Sequence, residues 1–276
     1  MKIIIHRVFG VDQKFEAQVS NILTQIYEKV RPPMAGIVDI YLFSSSYEMK
    51  KFLEREAQTA GLERGFADVE FSSYHWAWGG WPCIAIRADV CNHKDMTVWK
   101  GEVEHESAHS ILHGELAYYS FLPPLAFVNA LVANAFDDKL RHLLFYYLTV
   151  AIKDFEVTRL LVKHGILENQ THMHLFHLQR SLEEKMIWTE LQEQRNPKAE
   201  ILAAINDLKI LASSLPLLEQ KSCIGDAVDG FLSIATLRAR NLLDSLLSSF
   251  ETLGNDTHGN VDTIANAVGE QIQDYY

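Results

Sequence analysis

Cysteines, surplus basic residues and long runs of one charge are scarce in this chain, and each shortage excludes a class of protein. Only three cysteines occur among 276 residues, with no C-x-x-C pair. That count predicts reduced thiols and a cytoplasmic setting, although Cys83 and Cys91 lie close enough in sequence to leave a disulfide open. The formal net charge is −11, which argues against nucleic acid or an anionic membrane as partner. Without blocks of like charge, no disordered charged tail is expected.

A long apolar run is also missing. The longest uncharged stretch, 117–136, is divided by Pro123 and Pro124. The part that follows, 125–136, predicts a helix of about 18 Å, well short of a hydrocarbon core of ~30 Å. We expect a buried helix there, with a membrane-associated protein as the alternative. The N-terminal MKIIIHR is too short an apolar run for a signal peptide and predicts a strand.

Hydrophobic periodicity predicts an α+β fold with two parts. Residues 1–118 alternate between the patterns of strands and helices and are expected to form a mixed sheet with helices. Residues 119–276 predict a mostly helical subdomain. The predicted strands of the first part are 2–9, 37–43, 67–73 and 82–88, and its predicted helices are 12–30, 46–60 and 97–118, the last with Thr97 as N-cap.

The third of these helices carries the sequence His105-Glu106-Ser107-Ala108-His109. This is the H-E-x-x-H pattern, in which two histidines four residues apart project from one face of a helix. Such a pair can bind one Zn²⁺ ion, which lowers the pKa of a water it holds to roughly 7. The neighbouring Glu106 can accept a proton from that water as general base. The alternative is a surface helix that is rich in His and Glu by accident.

His113 repeats the four-residue spacing once more but does not fit the same ion. His105 and His113 are separated by about 12 Å along a straight helix, whereas a Zn–N bond is about 2 Å. Peptidases with three histidine ligands place a glycine before the third, and Leu112 stands at that position here. We therefore expect His113 to act as a neighbour of the site or as a helix-terminal residue, and keep it as a secondary candidate for ligation.

A better third ligand is expected on a long predicted helix that begins near Asp138 and is ended by Gly165. Glu156 falls within the apolar stripe of that helix, where a carboxylate is costly unless it is paired or binds a metal. Metal ligation would account for it, and an ion pair with Arg159 or another cation is the alternative. Asp154 is the fallback ligand.

These residues resemble the gluzincin branch of the zincin metallopeptidases. The resemblance covers about residues 80–165 and implies His105, His109 and Glu156 as zinc ligands with Glu106 as general base. Two features depart from the family. Thermolysin-like members carry an aspartate four residues after the ligand glutamate, whereas Leu160 stands there. The histidine or tyrosine that assists at the oxyanion is not identified, and 171–177, with three histidines, is one source.

The resemblance also implies that a strand beside the cleft binds substrate by adding a peptide strand to its edge. Ile84, Ala85 and Ile86, with Arg87, are the candidate edge, and an ordinary buried strand is the alternative. Nearby Trp76, Trp78 and Trp81 predict either the wall of an apolar substrate pocket or a hairpin packed on the core.

The sequence therefore predicts a zinc-dependent metallopeptidase acting on peptides or proteins, with no prediction of oligomeric state. Two other hypotheses stay open. One is a binding or regulatory protein on a zincin scaffold whose metal site is structural or lapsed. The other is a zinc hydrolase that acts on an amide other than a peptide, because fold and metal chemistry alone do not set the substrate.

Overall fold

The computed structural model describes residues 1–8, 10–31, 36–62, 71–92 and 95–274. It confirms the mixed α+β class, with 69% of the chain helical and therefore a sheet that is small beside its helices. Two compact units make up the chain. The first comprises Met1–Ser120 and Leu160–Met173, and the second comprises Phe121–Arg159 and His174–Tyr276.

The first unit contains the sheet and the helix that carries the motif. Its strands and helices, in chain order, are β1 (Lys2–Arg7), α1 (Gln13–Val30), β2 (Ile37–Phe43), α2 (Ser46–Thr59), β3 (Ser73–Trp76), β4 (Cys83–Arg87) and α3 (Met96–Leu112). Short 3-10 helices follow β4 and α3, at Asp89–Asn92 and Leu116–Tyr119. The strands and helices predicted before residue 60, and the strand predicted at 82–88, are confirmed. Most of the strand predicted at 67–73 lies outside the described residues.

The strand order in the sheet is β1-β2-β4-β3. The first three strands run parallel, with Ile40 opposite Ile84, and β3 pairs antiparallel with β4, with Tyr74 opposite Ala85. The prediction that Ile84–Arg87 forms the edge is therefore wrong. Its backbone is hydrogen-bonded on both sides, and Ile84, Ala85 and Ile86 are fully buried, so a peptide cannot add there. Among the described residues, the edge beside β4 is β3.

Helix α3 begins at Met96 and ends at Leu112. Its N-cap is Asp95, whose carboxylate accepts hydrogen bonds from the Thr97 backbone N–H (2.8 Å) and hydroxyl. The prediction of Thr97 as N-cap is therefore wrong by two residues, and Thr97 instead donates hydrogen bonds to the N-cap Asp95. The helix also ends earlier than the predicted residue 118, because His113 takes the C-cap position and the chain turns at Gly114 into a 3-10 helix.

Gly101 lets α3 approach the segment around Asn169 more closely than any side chain would allow. A Cβ at Gly101 would lie 2.5 Å from the Asn169 carbonyl oxygen and 2.9 Å from the Met173 Cβ.

We expect Gly101→Ala to destabilise the protein by about 1–3 kcal/mol, since the backbone must shift. The matched control is Gly230→Ala in the helix Ser222–Leu232, where an added Cβ meets nothing within 4 Å. That change should stabilise by about 1 kcal/mol. Urea denaturation measures both, and equal effects would contradict the close approach.

Cys83 lies on β4 as a buried free thiol, while Cys223 is exposed. Burial, reinforced by the charges of Asp39 and Glu56, raises the pKa of Cys83 to about 12. Since the thiolate is the reactive form, Cys83 is expected to stay unalkylated by iodoacetamide in the folded protein at pH 8. Cys223 should be modified under the same conditions. Mass spectrometry of the two cysteine peptides measures this, and unfolding in urea is the control that should make Cys83 reactive.

The second unit is helical. The remaining helices are α4 (Leu125–Ala133), α5 (Asp138–Lys163), α6 (Glu168–His177), α7 (Leu182–Gln194), α8 (Pro197–Leu218), α9 (Ser222–Leu232), α10 (Leu237–Phe250) and α11 (Thr257–Asp274). The end of α5 and the start of α6 belong to the first unit. Helix α5 ends as predicted, because Gly165 adopts a left-handed φ of 67° two residues beyond it.

One helix in the described part of the chain, α8, is long and apolar enough to cross a membrane by length and composition alone. Its most apolar window has a mean hydropathy of 1.5, and 56% of that window is buried inside the protein. Asp207 of α8 also forms a buried ion pair with Arg180 (2.5 Å) and accepts a hydrogen bond from the Trp188 indole (3.0 Å). A mostly buried helix with a paired charge is typical of a protein core.

Candidate metal centre

The two motif histidines share one face of α3 and converge on one point. The Nε2 atoms of His105 and His109 are 3.2 Å apart, and each residue is only 8% exposed. Two nitrogens bound to one tetrahedral Zn²⁺ at about 2.0–2.1 Å are separated by about 3.3 Å. The observed separation therefore fits two ligands of one zinc ion. In the absence of metal, the same distance is a hydrogen bond between one protonated and one unprotonated nitrogen.

His113 supports His109 from the next turn of the same helix. Its Nδ1 lies 3.1 Å from the Nδ1 of His109, and its side chain is fully buried. A histidine that binds metal through Nε2 donates its Nδ1–H to a neighbouring acceptor, which fixes the tautomer and the ring orientation. The structure thus places His113 where the sequence predicted, at the end of the helix and beside the histidine pair.

Two residues that the sequence interpretation missed complete the histidine cluster within the first unit. The ring of His75, on strand β3, is stacked on that of His109 with 5.7 Å between centroids and 9° between planes. The Tyr119 hydroxyl is hydrogen-bonded to His75 Nδ1 at 2.7 Å. No spacing in the sequence relates His75 to the motif. His75 and His109 are brought together only by the packing of α3 on β3.

The other polar groups of α3 show that it is a buried helix. The carboxylate of Glu104 accepts hydrogen bonds from Asn169 (2.7 Å) and Gln170 (3.2 Å), and Glu102 accepts one from Ser72. Burial raises the pKa of Glu104, and the bonds from Asn169 and Gln170 oppose that rise. The alternative of an accidental surface helix is therefore wrong. Glu106, the predicted base, differs from these two acids in being only half buried.

Glu156, the predicted third ligand, is buried on α5 in the second unit. One of its carboxylate oxygens accepts a hydrogen bond from the Thr257 hydroxyl (2.7 Å), and the other accepts one from the Asn260 amide (2.5 Å). Both partners lie in the first turn of α11, whose dipole favours a negative charge. The cost of burying this carboxylate is therefore offset without a metal ion.

Arg159, proposed as the ion-pair partner of Glu156, has other contacts. Its guanidinium donates hydrogen bonds to the Leu253 carbonyl (2.7 Å) and to the Gly254 carbonyl. It also lies over the ring of Phe155, with 5.0 Å to the centroid. The described contacts of Glu156 are thus with neutral donors.

Asp154, the fallback ligand, is half buried, whereas Phe155 and Glu156, which follow it directly on α5, are buried. The carboxylate of Asp154 interacts electrostatically with the Lys209 ammonium group of α8. Burial lowers the pKa of the Lys209 ammonium, and the charges of Asp154 and Asp207 oppose that shift. Of the two acids, Asp154 is the more exposed to solvent.

The segment 171–177 was one predicted source of an oxyanion residue. His172 and His177 are exposed. His174 is buried, with its Nε2 at 3.3 Å from the Thr158 hydroxyl. The described contacts of His174 thus belong to the packing of the second unit.

The three tryptophans were predicted either to line an apolar substrate pocket or to pack on the core, and they have different environments in the structure. Trp76 and Trp78 are buried in the aromatic core of the first unit. Trp81 is 51% exposed, and its indole N–H donates to Asp39 at 3.0 Å. It borders a cavity of about 460 Å³ that is also lined by Ser110, Ile111 and Gly114. Ser110 and Ile111 belong to α3 and Gly114 follows its C-cap, and neither His105 nor His109 is among the described residues that line this cavity.

Comparison with known proteins finds no match to this chain among protein-family models, curated proteins or solved structures.

Proposed function

We propose that this protein is a zinc-dependent metallopeptidase of zincin type, with His105 and His109 as zinc ligands and Glu106 as general base. The observation that carries the proposal is the 3.2 Å approach of the two Nε2 atoms on a buried helix. Burying several imidazoles and carboxylates in one region is costly, and ionisable groups in such surroundings are found preferentially at functional sites.

Zinc at this position supplies a Lewis acid that polarises a carbonyl group and acidifies a water molecule. The residues of the chain then have distinct tasks. Glu106 accepts the proton of the attacking water and passes it to the leaving amine, for which its half-buried position beside His105 is suited. His113 holds the tautomer of His109, since the two Nδ1 atoms are 3.1 Å apart.

His75 is our candidate for the group that donates a hydrogen bond to the developing oxyanion. It lies beside His109, and the Tyr119 hydroxyl fixes its orientation. A histidine held in this way is preorganised, so no reorientation is needed when negative charge develops on the substrate oxygen. Strand β3, which carries His75, is also an edge strand among the described residues. We assign to it the substrate-pairing role that the sequence had given to β4.

For the third ligand we propose a carboxylate of α5, with Asp154 ahead of the predicted Glu156. Two hydrogen bonds already occupy the oxygens of Glu156, and a metal would have to displace the donors of Thr257 and Asn260. Asp154, on the same helix, is half buried and more exposed than Glu156. A zinc site with two histidines and one carboxylate leaves the fourth position open for chemistry.

The experiment that tests the ligand set compares Asp154→Asn with Glu156→Gln. The purified protein is expected to contain about one zinc per chain. Asp154→Asn should lower zinc affinity about 100-fold or more, whereas Glu156→Gln should retain the metal and lower stability instead. Zinc content by atomic emission and urea denaturation separate the two effects. Loss of zinc in Glu156→Gln alone would restore Glu156 as the ligand.

The substrate that we propose is a peptide or protein in the cytoplasm. The net charge of −11 disfavours an anionic surface as partner. Hydrolysis of a peptide library that is lost on chelation and restored by zinc would support this function. Zinc binding without hydrolysis of any peptide would favour a binding or regulatory protein on a zincin scaffold. Hydrolysis of other amides but not of peptides would favour a zinc hydrolase with a non-peptide substrate.

A further inference from the structure

A second region of the molecule, unrelated to the histidines, collects positive charge around a cavity. In the second unit the end of α7, the start of α8 and the start of α10 enclose a cavity of about 690 Å³. That volume lies within the range of small-ligand sites, about 300–1,000 Å³. Its lining includes Arg195, Arg238 and Arg240, with the hydroxyl of Thr236 and one acid, Glu200.

Two cations of this cavity lie at a helix terminus that does not favour positive charge. Arg238 and Arg240 lie in the first turns of α10, which begins at Leu237. Cations are unfavourable there, because the first turn of a helix carries partial positive charge. Arg195 adds a third guanidinium in a chain whose net charge is −11. The described lining thus contains three guanidinium groups and one carboxylate, Glu200, which accepts a hydrogen bond from the Thr236 hydroxyl.

Arg240 provides an independent observation. Its Nε is buried and has no hydrogen-bond partner among the described residues. A buried guanidinium N–H without an acceptor is costly, and an anion in the cavity that Arg240 lines would bring acceptors to its guanidinium group. Guanidinium groups suit phosphate and carboxylate oxygens because their N–H groups form a planar fork.

We propose that this cavity binds a small multivalent anion, held by Arg195, Arg238 and Arg240 at the start of α10. The ligand class is a compact molecule with a diphosphate group or several carboxylates. This site is independent of the proposed hydrolase function, since every residue that carries it lies in the second unit and none belongs to the histidine cluster.

Calorimetric titration tests the proposal with pyrophosphate and with citrate, at an ionic strength held constant with potassium chloride. Binding of pyrophosphate alone identifies a phosphate ligand, and binding of citrate alone identifies a carboxylate ligand. Arg195→Gln and Arg238→Gln change exposed side chains and should each weaken binding about tenfold. Arg55→Gln, an exposed arginine on α2 in the first unit, is the matched control and should leave affinity unchanged.

Glu200→Gln provides a test in the opposite direction. It removes the carboxylate that lines the cavity while its amide oxygen can still accept the Thr236 hydroxyl. Binding of the same anion should become about fivefold to tenfold tighter. Failure of both anions to bind the wild-type protein would overturn the proposal. So would equal weakening by Arg55→Gln and Arg238→Gln, because that result indicates a general charge effect.

Discussion

Glu106→Gln is expected to reduce peptide hydrolysis by about 10²–10⁴-fold while zinc content stays at the wild-type level. Glutamine matches glutamate in size but cannot accept a proton from water, so the change removes general base catalysis and leaves the histidine pair intact. Glu106 is half buried and adjacent to His105, so the substitution does not bury a new unpaired group. The measurement is kcat per bound zinc, determined on the same preparation.

The matched control for Glu106 is Glu115→Gln, which removes the same charge from an exposed position shortly after α3. Its turnover should equal that of the wild type. Turnover near the wild-type value in Glu106→Gln, at equal zinc content, would remove Glu106 from the mechanism. Loss of activity in both variants would instead indicate a general effect of charge.

His105→Asn and His109→Asn are each expected to lower zinc affinity by more than about 100-fold. Loss of a group that merely supports a ligand costs about 10–100-fold, so loss of a ligand should cost at least as much. Zinc should also stop raising the melting temperature of these variants. In the wild type, zinc at a thousand times its Kd should stabilise the folded state by about 4 kcal/mol. Competition with a chromogenic chelator measures the affinity, and calorimetry measures the stability.

His142→Asn is the control for the histidine variants. His142 is exposed on α5, and its Nδ1 donates a hydrogen bond to the Asp138 carbonyl at 2.6 Å. Its loss should change neither zinc affinity nor the thermal response to zinc. Unchanged zinc affinity in His105→Asn and His109→Asn would contradict the metal site, whatever the activity of those variants.

The sequence predicted local structure well where apolar periodicity was continuous. Helix α1 and strand β2 follow from such patterns, and the capping Asp12, whose carboxylate accepts from the Phe15 N–H at 2.7 Å, explains where α1 begins. The order of the strands in the sheet could not be predicted from these patterns. A buried strand such as β4 has the same composition whether it is central or at an edge, because pairing depends on residues distant in the chain.

The sequence predicted only those parts of the candidate site whose residues are close together in the chain. His105 and His109 are related by helix geometry, which a spacing of four residues reveals. His75 comes from a four-residue strand, too short to show a pattern of its own. The environment of Glu156 depends on Thr257 and Asn260, about a hundred residues later in the chain. Sequence indicated that this carboxylate needed partners but gave no means of choosing among them.

The first unit is interrupted in the chain by Phe121–Arg159 and is completed by Leu160–Met173. Glu104 and the Gly101 carbonyl of α3 receive their hydrogen bonds from Gln170. During synthesis on the ribosome, the sheet and α3 therefore emerge well before the segment that satisfies them. Until Gln170 has left the exit tunnel, Glu104 and the Gly101 carbonyl lack the hydrogen bonds that Gln170 donates in the folded protein. The first unit therefore cannot complete its fold until Leu160–Met173 has been synthesised. A chaperone that binds the nascent chain before then would bind an incompletely folded unit.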